Sequence, residues 1–184
     1  MAVTANRFDV AQRVAALGGI DILVNNAGIA GTNHVQDIAI EEWDRMIAVH
    51  LRGVFLATRL VLPMMYRQNS GKIVNTASQL AYKASPGLSH YVAAKAAIVA
   101  FTRCLALEIG TRNVNANCVA PGATRTALIA DIADDLMEKI RASIPKGRFG
   151  EVDDIVPSYV FLASDEARFY QGQCISPNGG DTFL

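Results

Sequence analysis

The chain has 184 residues, 51% of them hydrophobic, and its formal net charge is zero. This length predicts a single domain, residues 1–184, with a sizeable apolar core. A neutral chain gives no electrostatic reason to expect nucleic acid or an acidic membrane surface as a partner. No uninterrupted apolar run reaches the roughly 18 residues of a membrane span, so we also expect no membrane segment.

Cysteine use and the first residues bear on the cellular compartment. The stretch Met1–Val10 contains charged side chains and lacks the apolar core of a secretory signal. The three cysteines, Cys104, Cys118 and Cys174, are odd in number and widely spaced, which favours neither a disulfide framework nor a metal site. We therefore expect a cytoplasmic protein without a bound metal, in which the cysteines are small buried hydrophobic residues.

Short apolar runs that end in small or turn-forming residues predict four β-strands. In chain order they are Ile20–Ala27, Lys72–Ala77, Val114–Ala120 and Gln173–Ser176. Helical segments alternate with these runs, which is typical of an α/β fold with a parallel sheet. The predicted helices are Val10–Leu17, Glu41–Gln68, about Tyr91–Ile109, Asp131–Ala142 and Asp153–Ser164. In such sheets ligands bind at the carboxyl ends of the strands.

Two of the predicted helices are unusually apolar. The stretch Val54–Met65 is apolar almost all round, and the segment Tyr91–Ile109 is similar. A helix that is apolar all round is buried on all sides, yet one small sheet cannot surround two of them. We therefore expect a subunit interface built from these helices. The alternative is that each is a core helix with generous burial.

A tyrosine and a lysine lie four residues apart, at Tyr91 and Lys95, so that on a helix they share a face with about 5–6 Å between their Cβ atoms. A free phenol titrates near 10, and lowering its pKa to about 7 requires roughly 4 kcal/mol in favour of the phenolate. A cation about 4 Å away, at an effective dielectric constant near 20, supplies roughly that much. The pair is a candidate acid/base device, although the same spacing also occurs by chance in many helices.

Other polar and small residues follow the predicted strands. Ser78 comes directly after the second strand, and its hydroxyl can bond a substrate oxygen while Tyr91 gives or takes a proton. Gly28, which follows Asn25 and Ala27 at the end of the first strand, allows close approach of a ligand to the backbone. Pro121 and Gly122 end the third strand and lead to Thr124 and Thr126, whose hydroxyls can meet an amide or a phosphate. Each residue alone also fits an ordinary turn or cap.

Together these segments resemble short-chain dehydrogenases/reductases of the single-domain kind that includes 3-oxoacyl-acyl-carrier-protein reductases. The resemblance covers essentially the whole chain and rests on Asp21–Gly28, Ser78, the Tyr91-x-x-x-Lys95 motif, Asn117–Gly122, Phe161–Ala167 and Gly179–Gly180. It implies a partial doubly wound parallel sheet of the Rossmann-like type, with helices on both faces and the first strands missing. It also implies an NAD or NADP cofactor.

The resemblance assigns a role to each matching position. Tyr91 resembles the general acid/base, Lys95 the residue that binds the nicotinamide ribose and lowers the tyrosine pKa, and Ser78 the residue that polarises the substrate carbonyl. Asn25, Ala27 and Gly28 resemble the segment that lines the cofactor. Pro121, Gly122, Thr124 and Thr126 resemble the strip that meets its nicotinamide end.

Three departures from the family pattern stand out. The glycine-rich phosphate loop of the family has no counterpart, and Ala2 stands where the family often has an aspartate near the adenine. His50 matches the position of the usual fourth catalytic residue, an asparagine. A neutral imidazole can hold a water in a proton relay, although a core histidine with satisfied hydrogen bonds is an equal alternative. His34 and His90 match no family role, and we expect them in loops.

The favoured hypothesis is an NAD(P)-dependent enzyme that interconverts a carbonyl and a secondary alcohol by hydride transfer. The substrate is expected to be a small molecule, hydrophobic or acyl-type, and the assembly a homodimer or homotetramer. A non-catalytic remnant, or a binding or dimerisation module with weakened cofactor binding, is the alternative from another class, because helix-terminus phosphate contacts would be lost. An extended-type epimerase or dehydratase is a third and weaker option, because such enzymes resemble this chain in the Tyr-x-x-x-Lys motif but not in the Asn-Asn-Ala-Gly segment.

Overall fold

A parallel sheet forms the centre of the described part of the computed structural model, which comprises residue 16, residues 18–130 and residues 132–183. Its four strands lie side by side in chain order: β1 Ile22–Asn25, β2 Gly71–Thr76, β3 Val114–Val119 and β4 Cys174–Ile175. All three pairings are parallel. The four strands predicted from the sequence are confirmed, each with slightly different ends.

The helices alternate with the strands, as the sequence indicates. They are α1 Ile40–Ile47, α2 Gly53–Gln68, α3 Ser89–Ile109, α4 Asp134–Ser143 and α5 Val152–Ala163, with short 3-10 turns at Val35–Asp37, Gln79–Ala81, Ala127–Ile129 and Asp165–Ala167. The single helix expected over Glu41–Gln68 contains a π-helical turn, Ala48–Arg52, between α1 and α2. The helix expected over Val10–Leu17 falls almost wholly outside the described residues.

Helices cover both faces of the sheet. Successive side chains of a strand point to opposite faces, so Ile73 and Val74 of β2 belong to different parts of the core. Ile73 packs with Val61 of α2 and Leu105 of α3. Val74 instead packs with residues of α5 such as Leu162. This arrangement confirms the predicted α/β class with a Rossmann-like parallel sheet.

The helix pair α1–α2 corrects the expectation that its apolar stretch is buried on all sides. Over Ile40–Gln68 it is long and apolar enough, by length and composition alone, to cross a membrane. Its buried residues nevertheless lie on one face and pack on the sheet: Val54, Thr58, Val61 and Met65. Phe55, on another face, is 44% exposed, so this is a core helix with one buried face and not a helix buried on all sides.

A chain of buried amide and hydroxyl groups crosses the sheet beneath the strand ends. Asn25 Nδ2 donates to Asn75 Oδ1 at 2.8 Å, and Asn75 Nδ2 donates to Thr102 Oγ1 at 2.8 Å. Thr102 Oγ1 in turn donates to the Ile98 carbonyl of its own helix. Asn75 is fully buried, so it links β1, β2 and α3 in a region of low dielectric constant where unpaired groups are costly.

We expect Asn75→Ala to lower the free energy of unfolding by about 2–3 kcal/mol, because Asn25 and Thr102 each lose a buried partner. Urea denaturation followed by circular dichroism measures this change. The control is Asn113→Ala at an exposed position, which should cost less than about 0.5 kcal/mol. Equal midpoints for the two variants would show that the buried chain contributes nothing.

Candidate active site

Ser78 lies at the carboxyl end of β2, where the strand gives way to the turn Gln79–Ala81. Its side-chain oxygen accepts a hydrogen bond from the Leu80 amide at 3.1 Å, so the residue caps this turn. The side chain is buried, and its hydroxyl lies close enough to the Tyr91 phenol to lower the pKa of that group. Ser78 therefore fits both interpretations given by the sequence, a turn cap and a hydroxyl beside Tyr91.

Tyr91 and Lys95 lie one turn apart near the start of α3, as the spacing predicts. Lys95 Nζ is 5.6 Å from the centre of the Tyr91 ring and donates to the Thr76 carbonyl at 2.8 Å. Burial raises the pKa of Tyr91, and the nearby Ser78 hydroxyl opposes that rise only in part. The role of Lys95 in lowering the phenol pKa stays a prediction, since desolvation is the largest influence on the ring in this structure. Burial also lowers the pKa of Lys95, to about 8.

Thr76 joins three elements at the end of β2. Its carbonyl receives Lys95 from α3, and its hydroxyl lies 3.0 Å from Asn26 Oδ1 and 2.8 Å from the Tyr159 hydroxyl of α5. One hydroxyl donates one hydrogen, so a chain in which Tyr159 donates to Thr76 and Thr76 donates to Asn26 satisfies all three groups. The strand end is thus held from both faces of the sheet.

His50 occupies the π-helical turn and is buried against Tyr91. The two rings meet edge to face, with centroids 5.4 Å apart and an interplanar angle of 89°. Its Nε2 lies 2.9 Å from the Ile29 carbonyl and 3.2 Å from the Ile29 amide, so one ring nitrogen holds the loop that follows β1. Burial first, and then the charge of Lys95, lower its pKa to about 4, which keeps the imidazole neutral at physiological pH.

The loop after β1 approaches His50 closely. A Cβ atom added to Gly28 would lie 2.7 Å from His50 Cε1, a distance that side-chain atoms do not tolerate. Only glycine fits here, and the backbone at Gly28 stays uncovered by a side chain. Ala27 is exposed, whereas the Asn25 side chain points into the sheet and bonds Asn75.

The strip after β3 is shaped by a second close contact. A Cβ atom on Gly122 would lie 2.7 Å from Asn178 Cα, so the loop that follows β4 packs directly on this glycine. The Pro121 carbonyl accepts from the Gln79 amide, which places the strip beside the Ser78 turn. The hydroxyls of Thr124 and Thr126 bond carbonyls of their own loop, at Gly122 and Thr124.

The described contacts bring Ser78, Tyr91, Lys95 and His50 together with Gly28 and Pro121 beside them. Thr124 and Thr126 are not joined to Tyr91 by any described contact. Thr126 instead lines a cavity of about 420 Å³ formed with Arg125, Ile129, Ile132, Met137 and Phe149. Among the described residues there is no cluster of three or more metal-ligating side chains.

Sequence reasoning missed a second histidine contact. His90, expected in a loop, lies in the first turn of α3 and is fully buried. Its Nε2 is 3.1 Å from Glu42 Oε1 of α1, while Asn33 Nδ2 donates to Glu42 Oε2 at 2.7 Å. The sequence predicted that α3 begins at about Tyr91, but the helix begins at Ser89 and therefore includes His90. His34 does lie in an exposed loop, as expected.

A buried carboxylate near the end of the chain was also missed. Asp181 accepts hydrogen bonds from Gln79 Nε2 at 2.6 Å and from the Lys83 ammonium. The contact ties the segment after β4 to the turn that carries Ser78. No pattern in the sequence could show this pairing, because about a hundred positions separate the partners.

The fold is that of the Rossmann-like class of dinucleotide-dependent oxidoreductases. A family model described as enoyl-(acyl carrier protein) reductase matches residues 6–182. The 3-oxoacyl-acyl-carrier-protein reductase of Staphylococcus epidermidis is 40% identical over 171 residues, which are 93% of this chain and 70% of that protein. Its counterpart from Thermotoga maritima is 39% identical with the same coverage.

Solved structures agree with these relatives. The gluconate 5-dehydrogenase of Burkholderia cenocepacia, crystallised in complex with NADP and tartrate, superposes with a TM-score of 0.91 at 31% identity. The match covers 95% of this chain and 69% of that one. The chain belongs to the short-chain dehydrogenase/reductase family of NAD(P)-dependent oxidoreductases.

We expect His50 to make stability depend on acidity. The unfolded imidazole titrates near 6.5 and the folded one near 4, so its contribution is present above pH 6.5 and is lost as the pH falls toward 4. The loss should amount to roughly 2–3 kcal/mol, at about 1.36 kcal/mol per pKa unit. Urea denaturation between pH 7 and pH 4 measures it in the wild type and in His50→Asn, which removes the titrating group. Parallel pH curves for the two proteins would contradict the assignment.

Proposed function

We propose that this chain interconverts a carbonyl and a secondary alcohol with NAD or NADP, using Ser78, Tyr91 and Lys95 as its catalytic residues. The observation that carries the proposal is the half-buried Tyr91 phenol, which has the buried Ser78 hydroxyl beside it and whose ring centre stands 5.6 Å from the buried ammonium nitrogen of Lys95. A proton donor, a second hydroxyl and a cation thus converge at the carboxyl ends of parallel strands, where ligands of such sheets bind.

In carbonyl reduction, Tyr91 acts as the general acid. The raised pKa of Tyr91 keeps the phenol protonated at neutral pH and ready to donate to an oxygen that gains negative charge. Ser78 donates a second hydrogen bond to the same oxygen. Lys95, with a pKa of about 8, carries its charge at pH 7 and stabilises the phenolate that remains after the proton has left.

His50 acts as a positioning residue that also offers a place for a relay. When Nε2 donates to the Ile29 carbonyl, the buried Nδ1 becomes an acceptor that has no partner among the described residues. A water that donates to Nδ1 would extend a proton path from Lys95 and Tyr91 toward solvent. The same imidazole supports the Tyr91 ring from its edge.

The nicotinamide half of the cofactor fits the uncovered backbone of two loops. Gly28 and Gly122 carry no side chain of their own, and each packs directly on a neighbour, His50 and Asn178, that holds its loop in place. Lys95 Nζ provides a donor for a ribose hydroxyl, and Pro121, Gly122, Thr124 and Thr126 form the neighbouring strip. The bound cofactor supplies or accepts the hydride. The backbone after β1, at Asn25, Ala27 and Gly28, lines the other side.

The substrate proposed is a hydrophobic or acyl-type small molecule. The cavity beside Thr126 is lined on one side by apolar residues, among them Ile129, Ile132 and Met137. Arg125 and Arg141 also line it, and each is paired with a carboxylate, Glu151 and Glu138 respectively. The relatives named for 3-oxoacyl-acyl-carrier-protein reduction are consistent with an acyl substrate. A cytoplasmic location and the single domain over residues 1–184 remain predictions.

Tyr91→Phe should reduce turnover at least 100-fold, because it removes the proton donor while the ring stays packed against His50. Cofactor affinity, measured by NAD(P)H fluorescence titration, should change little. The matched control is Tyr66→Phe, a tyrosine of α2 that stacks under Arg112 and lies outside the site. Retention of more than about a tenth of the wild-type rate would contradict the acid/base role.

The proposed assembly is a homodimer or homotetramer built on the outer faces of α2 and α3. Phe55 of α2 is 44% exposed and Leu107 of α3 is 83% exposed, so both helices present apolar side chains away from the sheet. At the edge of the sheet, β1 is paired with β2 alone among the described residues, and Ile22 and Val24 are about half exposed. An apolar strand edge of this kind is a second place for association.

We expect Leu107→Lys to shift the sedimentation profile toward the monomer, because the introduced charge would be desolvated in an apolar interface. The comparison variant is Glu108→Lys, which changes the charge at the neighbouring exposed position without removing apolar surface. Sedimentation velocity at several concentrations makes the measurement. A wild-type chain that sediments as a monomer would refute the interface on α2 and α3.

A further inference from the structure

The register of the sheet brings two cysteines together that lie far apart in the sequence. Cys118 of β3 is the direct partner of Cys174 of β4. Partner residues of neighbouring parallel strands lie about 4.8 Å apart, within the Cα separation of about 4.4–6.8 Å that a disulfide spans. Both side chains pack on the same core cluster, with Val54 of α2 and Ile98 of α3. The expectation of small buried hydrophobic cysteines holds for Cys118, whereas Cys174 is half-buried and Cys104 is exposed.

The two thiols have different surroundings. Cys118 is buried, and its Sγ donates to Thr102 Oγ1 at 3.1 Å. Cys174 is half-buried, with the Tyr82 phenol and the charge of Arg103 nearby. The interaction between the two thiols is the main cause that lowers the pKa of Cys174, and together with burial it raises the pKa of Cys118. A partly accessible thiol near a cation is the setting in which protein thiols react.

We propose that Cys118 and Cys174 form an oxidisable dithiol that hydrogen peroxide converts into an intramolecular disulfide. The Cys174 thiolate attacks one peroxide oxygen, the O–O bond breaks, and Cys174 becomes a sulfenic acid while hydroxide leaves. The Cys118 sulfur then attacks the sulfenic sulfur, its proton goes to the departing hydroxyl, and water leaves. In sum, two thiols are oxidised by two electrons and one peroxide is reduced to two waters.

The cysteine pair lies next to the loop after β3, from Pro121 to Thr126, which is proposed to meet the cofactor, so oxidation of the pair is expected to affect that loop. A disulfide draws its Cβ atoms to about 3.8 Å, so the two backbones must tilt locally at Cys118 and Cys174 even though their Cα separation already suits the bond. Two residues further on, Ser176 Oγ donates to the Ala120 carbonyl at 2.7 Å, and the Gly122 amide donates to the Pro177 carbonyl at 3.0 Å. Because Gly122 packs directly on Asn178, the two loops at this end of the strands cannot move closer together. A strained bond of this kind is readily reduced, which makes the change reversible.

The test uses a Cys104→Ser background, which leaves only the pair. The folded protein is treated with hydrogen peroxide, quenched, denatured and alkylated with N-ethylmaleimide, and its intact mass is measured before and after dithiothreitol. We expect a loss of two hydrogen atoms with both thiols blocked to alkylation, and full recovery of both thiols on reduction. Peptide mapping should place the bond between the segments that contain Cys118 and Cys174.

Cys104→Ser combined with Cys118→Ala keeps the reactive thiol and removes its partner. In this variant a dimedone adduct is expected on Cys174 after peroxide, because the sulfenic acid has no thiol to condense with. Two alkylatable thiols after peroxide, a sulfinic acid on Cys174 with Cys118 still alkylatable, or a disulfide between two chains would each overturn the proposal.

A functional readout applies once turnover has been established, and it rests on the proposed function. Oxidation should raise the KM for the nicotinamide cofactor at least several-fold, reversibly with dithiothreitol, while the variant without Cys118 should not show this reversible change. The mass measurement does not depend on activity. A chain without turnover that still forms the disulfide would contradict the proposed function and support the dithiol. An active chain that forms no disulfide would support the proposed function and contradict the dithiol.

Discussion

The hydrogen bond from the Lys95 ammonium to the Thr76 carbonyl is the contact on which the rest of the site depends. It fixes α3 against the end of β2 at the point where the strand has no further ladder partner for that carbonyl. The Thr76 hydroxyl also contacts Asn26, which directly follows β1, and Tyr159 of α5, so helices on both faces of the sheet are held at one strand end. Tyr91 lies one turn before Lys95 on the same helix, so this hydrogen bond also fixes the position of Tyr91. A buried cation paired with a neutral dipole also stays available to interact with charge that develops nearby.

Close backbone contact, more than side-chain chemistry, shapes the remainder of the site. The imidazole of His50 fills the space that a side chain at Gly28 would need, and Asn178 does the same at Gly122. The two loops are therefore held by packing from opposite ends of the described chain, one by a helix before the catalytic segment and one by the loop after β4. Such support from neighbouring residues is what keeps reacting groups within a narrow range of positions.

The sequence predicted the strands, the helix order and the cluster of Ser78, Tyr91 and Lys95, because these depend on periodicity and on spacing within one element. It did not predict the direction of the Tyr91 pKa shift, since that depends on how deeply the ring is buried and on where Lys95 points. It also misplaced His90 by putting the start of α3 two residues late. The sequence could not predict the pairs Cys118–Cys174 and Gln79–Asp181. Positions so distant in the chain meet only through the register of the sheet and the path of the segment after β4.

The π-helical turn at Ala48–Arg52 has a consequence for how this segment tolerates insertion and deletion. Inward-facing residues recur every fourth position along it, at Glu42, Met46, His50, Val54 and Thr58. In a regular α-helix a four-residue stripe drifts by about 40° at each step, and the wider turn offsets part of that drift. Deleting one residue within the turn would restore an ordinary helix and leave α1 and α2 nearly in their present relative orientation, because a wide turn of five residues turns through about the same angle as four α-helical residues. Glu42 would still face His90, so a one-residue gap that looks disruptive in a sequence alignment would leave α1 connected to α3.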